Sequence, residues 1–138
     1  MANTVNINET QWDGYRGSIH YNLSSDSTAI SDTVLVDISA LAPAPTSVKI
    51  RSIQWTLHGN IILTLEFDAT ADEAWCRLEN QTADTTIEGR RDFTDAPNGG
   101  WVPNTAAAGF TGDILLTSSG LAASDDFDLF IVFEKSAG

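Results

Sequence analysis

The stretch from Val48 to Asp68 constrains the fold more than any other part of the chain. In its second half, apolar residues fall on every other position: Ile61, Leu63, Leu65 and Phe67. Polar residues occupy the other face: Thr64, Glu66 and Asp68. Because successive side chains of a strand point to opposite faces, this period of two predicts a β-strand with one buried face.

The first half of the stretch is a second apolar run, from Val48 to Leu57. Its alternation slips between Ile50 and Ile53, which predicts either a bulge near Arg51-Ser52 or a strand that is apolar on both faces. The short connection around Gly59-Asn60 is typical of a hairpin, since both residues tolerate positive φ. We therefore predict that the two runs pair as a hairpin at the centre of a β core.

Short alternating runs separated by turn residues continue along the chain. The further predicted strands are Trp12–Leu23, Ile30–Ile38, Trp75–Leu78, Ile87–Phe93, Ile114–Thr117 and Phe127–Phe133. In the third of these, we expect Trp75 and Arg77 to lie opposite Cys76 and Leu78. The last run is apolar on both faces, which indicates a central or covered strand.

The pattern as a whole contains eight to ten short strands and no convincing amphipathic helix. It predicts an all-β fold, a β-sandwich of jelly-roll type, with an immunoglobulin-like sandwich as the alternative. We assign residues 12–138 to a single sandwich domain. Residues 1–11 are polar apart from alternating Val5 and Ile7, and we expect them to form an N-terminal arm or an edge strand.

Charge and cysteine content exclude several classes of function. The formal net charge is −12, and such an acidic surface repels nucleic-acid phosphates. Cys76 is the only cysteine, which rules out an intrachain disulfide and a thiolate zinc cluster. The N-terminal residues lack the pattern of a secretory signal, and no apolar run approaches the roughly 20 residues of a membrane span. We therefore expect neither a nucleic-acid nor a membrane partner.

No group of residues in the sequence indicates catalysis or cofactor binding. The two histidines, His20 and His58, are predicted to lie on the surface, because no Gly-x-Ser-x-Gly motif marks a nucleophilic serine beside them. Acidic residues cluster at Asp68–Glu73, at Asp92 with Asp95, and at Asp125–Asp128. Calcium is possible chemistry for such oxygens, but the Asp-x-Asx-x-Asx-Gly spacing is absent. We expect these aspartates to start turns and predict no metal ligand.

Aromatic and cationic residues are the remaining candidates, and we assign them to interfaces. Trp101 and Val102 lie in a loop rich in glycine and proline, where a tryptophan either anchors on a partner or caps the local core. Arg90 and Arg91 either pair across a subunit contact or form ordinary surface pairs. The complete set of predicted interface residues is Val5, Ile7, Trp12, Arg90, Arg91, Trp101 and Val102.

Three stretches together resemble small virion structural proteins of tailed bacteriophages. They are Val34–Leu41, Val48–Thr70 and Ala108–Thr117, the last taken with the terminal Phe133-Glu134-Lys135. This broad group includes capsid decoration, or cement, proteins with all-β folds. No catalytic signature accompanies these motifs, which consist of strands and turns.

The resemblance implies a decoration subunit that binds the outer surface of a phage head. Its partners would be the major capsid protein and further copies of itself, as a dimer or trimer, and it would need no cofactor. The protein would be made in the host cytoplasm and reside on the capsid surface. Residues 1–11 and 98–104 are the first candidates for docking. Two alternatives stay open: a tail, neck or fibre component, and a carbohydrate-binding module with exposed, coplanar aromatics around Trp101.

Overall fold

A computed structural model describes residues 3–80, 82, 85–94, 99–119 and 121–136. The strands are β1 (Thr4–Trp12), β2 (Arg16–Asp26), β3 (Thr33–Val36), β4 (Val48–His58), β5 (Ile61–Phe67), β6 (Glu73–Asn80), β7 (Thr86–Asp92), β8 (Ile114–Ser119) and β9 (Ala123–Lys135). The helical structure among the described residues is one 3-10 turn, Ile38–Ala40, whose Asp37 cap accepts a hydrogen bond from the Ser39 N–H.

The strands form two antiparallel sheets. The five-stranded sheet has the order β1-β2-β9-β4-β7, and the four-stranded sheet has the order β3-β8-β5-β6. From β2 onward the chain changes sheet at every step except between β5 and β6, which pair as a hairpin. This winding of eight strands is a jelly roll, which confirms the predicted fold class. In an immunoglobulin-like sandwich, the two sheets have the strand orders ABED and CFG. The orders found here are different, so the immunoglobulin-like alternative is wrong.

The predicted central hairpin is wrong, although both of its strands exist. β4 pairs with β7 and β9, whereas β5 pairs with β6 and β8 in the other sheet. Gly59 adopts a positive φ of 104° at the connection, as expected for a turn. The turn carries the chain from one sheet to the other, so the two apolar faces meet across the core rather than side by side.

The core between the sheets is built from the alternating residues. Side chains of both sheets are completely buried, including Ile53, Leu57, Leu63, Leu65, Phe67, Leu129, Ile131 and Phe133. The register of β4 against β9 shifts between Ile50 and Ser52, which confirms the predicted bulge. β9 lies between β2 and β4, which confirms the prediction that it is a central strand.

Two local predictions are corrected. The run Trp12–Leu23 is interrupted by a turn, in which the Asp13 carboxylate accepts hydrogen bonds from the N–H groups of Tyr15 and Arg16 at 2.8 and 2.7 Å. In β6, the register against β5 shifts so that Trp75 is an extra residue. Because of this bulge, Trp75 and Cys76 are both buried, rather than lying on opposite faces.

Candidate functional site

The predicted interface residues separate onto two edges of the five-stranded sheet. Val5, Ile7 and Trp12 lie on β1, at one edge. Arg90 and Arg91 lie on β7, at the other edge, and the segment that carries Trp101 and Val102 continues that edge alongside β4. They therefore belong to two surfaces rather than one. Asn98, within the predicted docking loop, and Met1 and Ala2, within the predicted arm, lie outside the described residues.

The β1 edge projects beyond the sandwich. β1 pairs along its whole length with β2, and all of its residues except Ile7 and Trp12 are exposed. Val5 is 48% exposed. It is a long edge strand with no lysine, arginine or proline, the residues that commonly protect such edges from pairing with another chain. Its protective features are a bulge between Val5 and Ile7 and the single charge of Glu9.

Trp12 fastens the end of β1 to the core. Its ring stacks on Phe133 with centroids 5.8 Å apart, and its Nε1 donates a hydrogen bond to the Pro43 carbonyl at 2.9 Å. Beside it lies an open cavity of about 460 Å³, bordered by Thr10 and by residues 35–37 and 40–42. The end of this edge strand, at Thr10 and Trp12, therefore borders a hollow.

Trp101 is held at the opposite edge by its backbone and its ring. Its N–H and C=O groups exchange hydrogen bonds with Ile50 at 2.8 and 2.9 Å, and its Nε1 donates to Glu73 Oε2 at 3.2 Å. Its ring meets Phe93 edge-on at 71°, and Trp101 is 36% exposed. Because the two rings are far from parallel, they do not form the coplanar platform that a sugar-stacking role for Trp101 would need.

Arg91 and Trp101 contact the same aromatic ring. The Arg91 guanidinium lies 5.1 Å from the Phe93 centroid, on a ring that also contacts Trp101. Arg90 points elsewhere: its Nη2 atom lies 3.3 Å from Asp92 Oδ2, and it lines a depression on the outer face of the five-stranded sheet. The structure thus joins Arg91 to the Trp101 surface and separates Arg90 from it.

Sequence reasoning missed a cluster of charged residues around Glu134. Arg16 Nη2 and Lys49 Nζ each lie 3.1 Å from a Glu134 carboxylate oxygen, and Arg51 Nη1 lies at 3.4 Å. The Glu134 side chain is 4% exposed because these cations cover it. Burial raises the pKa of Glu134, but the hydrogen bonds from Lys49 and Arg16, together with the positive charges of Arg51 and Lys49, outweigh burial and hold that pKa below its usual value.

The two histidines form polar pairs on the outer surface. His20 Nε2 lies 2.9 Å from Asp128 Oδ2, and His58 Nδ1 lies 2.7 Å from Thr86 Oγ1. Neither histidine is hydrogen-bonded to a serine hydroxyl in the described part of the chain.

The clustered aspartates hold turns, as expected from their sequence positions. Asp72 accepts a hydrogen bond from the Ala69 N–H, Asp92 from Thr94 and Asp125 from Ala122. Asp95 lies outside the described residues. These contacts are those of side chains that satisfy backbone donors in turns.

A different acidic group, Asp32, Glu66 and Asp72, is brought together by the fold. Burial raises the pKa of the Glu66 carboxyl, and the negative charges of Asp72 and Asp32 raise it further. Thr117 Oγ1 lies 3.1 Å from both Glu66 Oε1 and Asp32 Oδ1, yet its hydroxyl has one proton to donate. A proton on Glu66 would satisfy the second contact.

Replacing Glu66 by glutamine is expected to stabilise the fold near neutral pH. A carboxyl with a raised folded-state pKa costs stability that develops as pH rises from the unfolded-state pKa through the folded-state pKa, and the neutral amide removes this cost. We expect a gain of up to about 1 kcal/mol at pH 7 in urea unfolding, and no gain below about pH 4, where Glu66 is protonated in both states. Glu9→Gln on exposed β1 is the control for net charge. An equal gain from Glu66→Gln and Glu9→Gln would show that net charge, and not the raised pKa of Glu66, causes the stabilisation.

The stretches that carry the resemblance meet at one end of the sandwich. Asp68 Oδ2 accepts a hydrogen bond from Thr111 Oγ1 at 2.6 Å, and its N–H donates to the Asp113 carbonyl at 2.9 Å. Asp113 Oδ1 also accepts from the Ile38 N–H at 3.1 Å. These motif residues therefore join loops to one another, which is a structural role.

The described residues contain no helix long and apolar enough to cross a membrane.

No family model and no curated protein matches the sequence. Among solved structures, the coat protein dimer of Tobacco streak virus is similar at 11% identity, covering 86% of each chain with a TM-score of 0.35. A CBM4 structure is similar at 7% identity, covering 88% of this chain and 81% of that one with a TM-score of 0.31. Neither similarity assigns a family.

Proposed function

We propose that this chain is a non-enzymatic structural subunit of a virus particle, which decorates the outer surface of a phage head as a homo-oligomer. The observation that carries the proposal is the long edge of β1, which is protected only by a bulge and by the charge of Glu9. Main-chain groups along this edge offer hydrogen bonds to a neighbouring strand without special side chains. The resemblance to small virion proteins of tailed phages supports the same role.

The contrast with the charged edges at β6 and β7 supports an assembly role for β1. β7, at the other edge of the same sheet, carries Glu88, Arg90, Arg91 and Asp92 within seven residues. β6, an edge of the four-stranded sheet, carries Glu73, Arg77 and Glu79. Charges of this kind prevent pairing with other chains. β1 lacks them apart from Glu9, which is the composition expected of an edge that pairs in the assembled particle.

The first test is to locate the chain in purified phage particles by cryo-electron microscopy. Density that fits this jelly roll on the outside of the capsid lattice is the expected result. Density in the tail, neck or fibre would instead support the alternative virion role. Absence of the chain from particles, checked by mass spectrometry, would overturn the proposal.

Thr10→Lys, which places a charge on the β1 edge, is expected to weaken self-association and head binding at least tenfold. A lysine on an edge strand opposes the addition of a further strand. Light scattering after size-exclusion chromatography measures the oligomer, and co-sedimentation with decoration-free heads measures binding.

Ile87→Lys on β7 is the matched control, since it changes net charge equally at the opposite edge of the same sheet. It should leave both measurements near those of the unmodified protein. Equal effects of the two substitutions, or none from Thr10→Lys, would contradict docking through β1. Deletion of residues 2–10 should reproduce the Thr10→Lys result.

A further inference from the structure

A depression of about 460 Å³ lies on the outer face of the five-stranded sheet, across β4, β7 and β9. Side chains from all three strands line it: Gln54, Thr56, Glu88, Arg90, Asp128 and Phe130. Its volume is within the range of about 300–1,000 Å³ found for small-molecule sites. It borders the β7 edge and is separate from the β1 edge.

The depression has an aromatic wall. Phe130 is 37% exposed, and its ring is met edge-on by the His20 ring with centroids 6.1 Å apart. The Trp55 ring is not part of this wall: it packs against the core on the opposite face of the sheet, over Gly89, where a Cβ would lie 2.6 Å from the tryptophan ring. Glycine at this position therefore lets the Trp55 ring approach β7 closely.

The polar side chains beside Phe130 are held in place before any ligand binds. Asp128 accepts hydrogen bonds from Asn22 at 3.0 Å and contacts His20 at 2.9 Å. Asn22 is in turn bonded to Asn6 at 2.9 Å. This network crosses three strands of an outer face. It fixes the orientation of a carboxylate that borders an exposed aromatic ring.

We infer that this depression binds a neutral oligosaccharide. A sugar ring presents an apolar C–H face and a rim of hydroxyl groups, and the site offers the matching parts. Phe130 supplies an apolar ring face. Glu88 and Asp128 supply acceptors, Arg90 supplies donors, and Gln54 and Thr56 supply both.

The charge of the site selects against anionic ligands. Two carboxylates, Glu88 and Asp128, and one guanidinium, Arg90, give the depression a net charge of −1. The chain as a whole carries −12. Phosphates, sialic acids and uronic acids would therefore be repelled, whereas neutral hexose and N-acetylhexosamine units would not. This inference does not depend on the proposed virion role.

NMR titration of the unmodified protein tests the site directly. The probes are neutral tetrasaccharides of glucose, galactose, mannose and N-acetylglucosamine, with 3′-sialyllactose as the anionic comparison. Saturable shifts of the Gln54, Gly89 and Phe130 amides with a neutral probe, and none with the anionic one, are expected. No saturable shift at these amides with any neutral probe would overturn the proposal.

Phe130→Ala is expected to weaken the neutral sugar's affinity about tenfold, from loss of the stacking surface. Tyr15→Ala is the matched control, because Tyr15 is an aromatic residue that is 56% exposed outside the depression. Unchanged binding by Phe130→Ala with a preserved circular dichroism spectrum would contradict the site. Loss of binding by Trp101→Ala with unchanged binding by Phe130→Ala would place the sugar site at Trp101 and would overturn the assignment to the depression.

Discussion

Replacing Glu134 by alanine is expected to lower the free energy of unfolding by about 3 kcal/mol. The carboxylate binds Arg16, Lys49 and Arg51, and its side chain is 4% exposed. Without it, these cations repel one another, and Lys49, which is 14% exposed, is left poorly hydrated beside them. Urea unfolding at pH 7 measures the loss.

The effect of Glu134→Ala should depend on pH in a defined direction. The pKa of Glu134 is lowered in the folded protein, so its contribution is fully present above the unfolded-state pKa of about 4.3. It is lost as the pH falls through the lowered pKa. The difference between variant and unmodified protein should be constant above about pH 5.5 and shrink below pH 4.

The surface pair of Arg77 and Glu79 provides the control. Arg77 Nη2 lies 3.4 Å from Glu79 Oε2, with the two side chains 62% and 29% exposed, and pairs this accessible contribute about 0–1 kcal/mol. Glu79→Ala should therefore change stability by less than a third of the Glu134→Ala effect. Equal losses, or a Glu134→Ala loss that grows in acid, would show that the charge cluster does not stabilise the fold.

Gly59→Ala is expected to destabilise the protein by about 2–5 kcal/mol, which combines backbone strain with overpacking. Gly59 has a φ of 104°, and a Cβ there would overlap the Oδ1 atom of Asp125. Asp125 is itself buried and accepts a hydrogen bond from the Ala122 N–H at 2.9 Å. The turn between the two sheets therefore has no space for a side chain.

Gly14→Ala separates the two contributions. Gly14 has a similar φ of 99°, but a Cβ there would meet the Pro43 side chain at ordinary distances of 3.5 and 3.6 Å. It should cost only the backbone strain, about 1–2 kcal/mol. Chemical unfolding of the two variants gives the difference. A Gly14→Ala loss as large as that of Gly59→Ala would contradict the steric contribution of Asp125.

Alternation in the sequence predicted where most strands occur and which face is buried in the long regular ones. The alternating apolar residues from Ile61 to Phe67 in β5 and from Phe127 to Phe133 in β9 are buried as expected, whereas Phe130 on the other face of β9 is exposed, and the parity slip in β4 is a bulge. Trp75 was misplaced because a bulge in β6 changes the parity within that strand. The predicted strand Trp75–Leu78 has only four residues, which is too short for the alternation to reveal an extra residue.

Periodicity could not predict which strands pair. Two successive strands with one apolar face each satisfy burial equally as a hairpin in one sheet or as partners across the core. Gly59 supplies the positive φ that the turn needs in either arrangement. In this protein β4 pairs with β7 and β9, so the turn leads to the other sheet rather than to a hairpin. The hairpin prediction failed because turn chemistry specifies a local bend and not the sheet that follows.

The candidate sites were also beyond sequence reasoning where they depend on which strands pair. Residues that sequence alone could single out, such as Trp101 and Val5, are exposed. The Glu134 cluster and the depression beside Phe130 assemble from strands far apart in the chain. His20 and Asp128 pair across β2 and β9, although 108 positions separate them. No local motif records such a pairing.

The position of β9 dictates the order in which this protein can fold during synthesis. β9 lies between β2 and β4 and follows every other strand in chain order. Until its residues have left the ribosome, β2 and β4 lack the partner that joins them, and their apolar faces stay uncovered. Folding of the sandwich should therefore wait for β9 and be slow, as is usual where pairing is non-local, and the chain that still lacks β9 should be a substrate for chaperones.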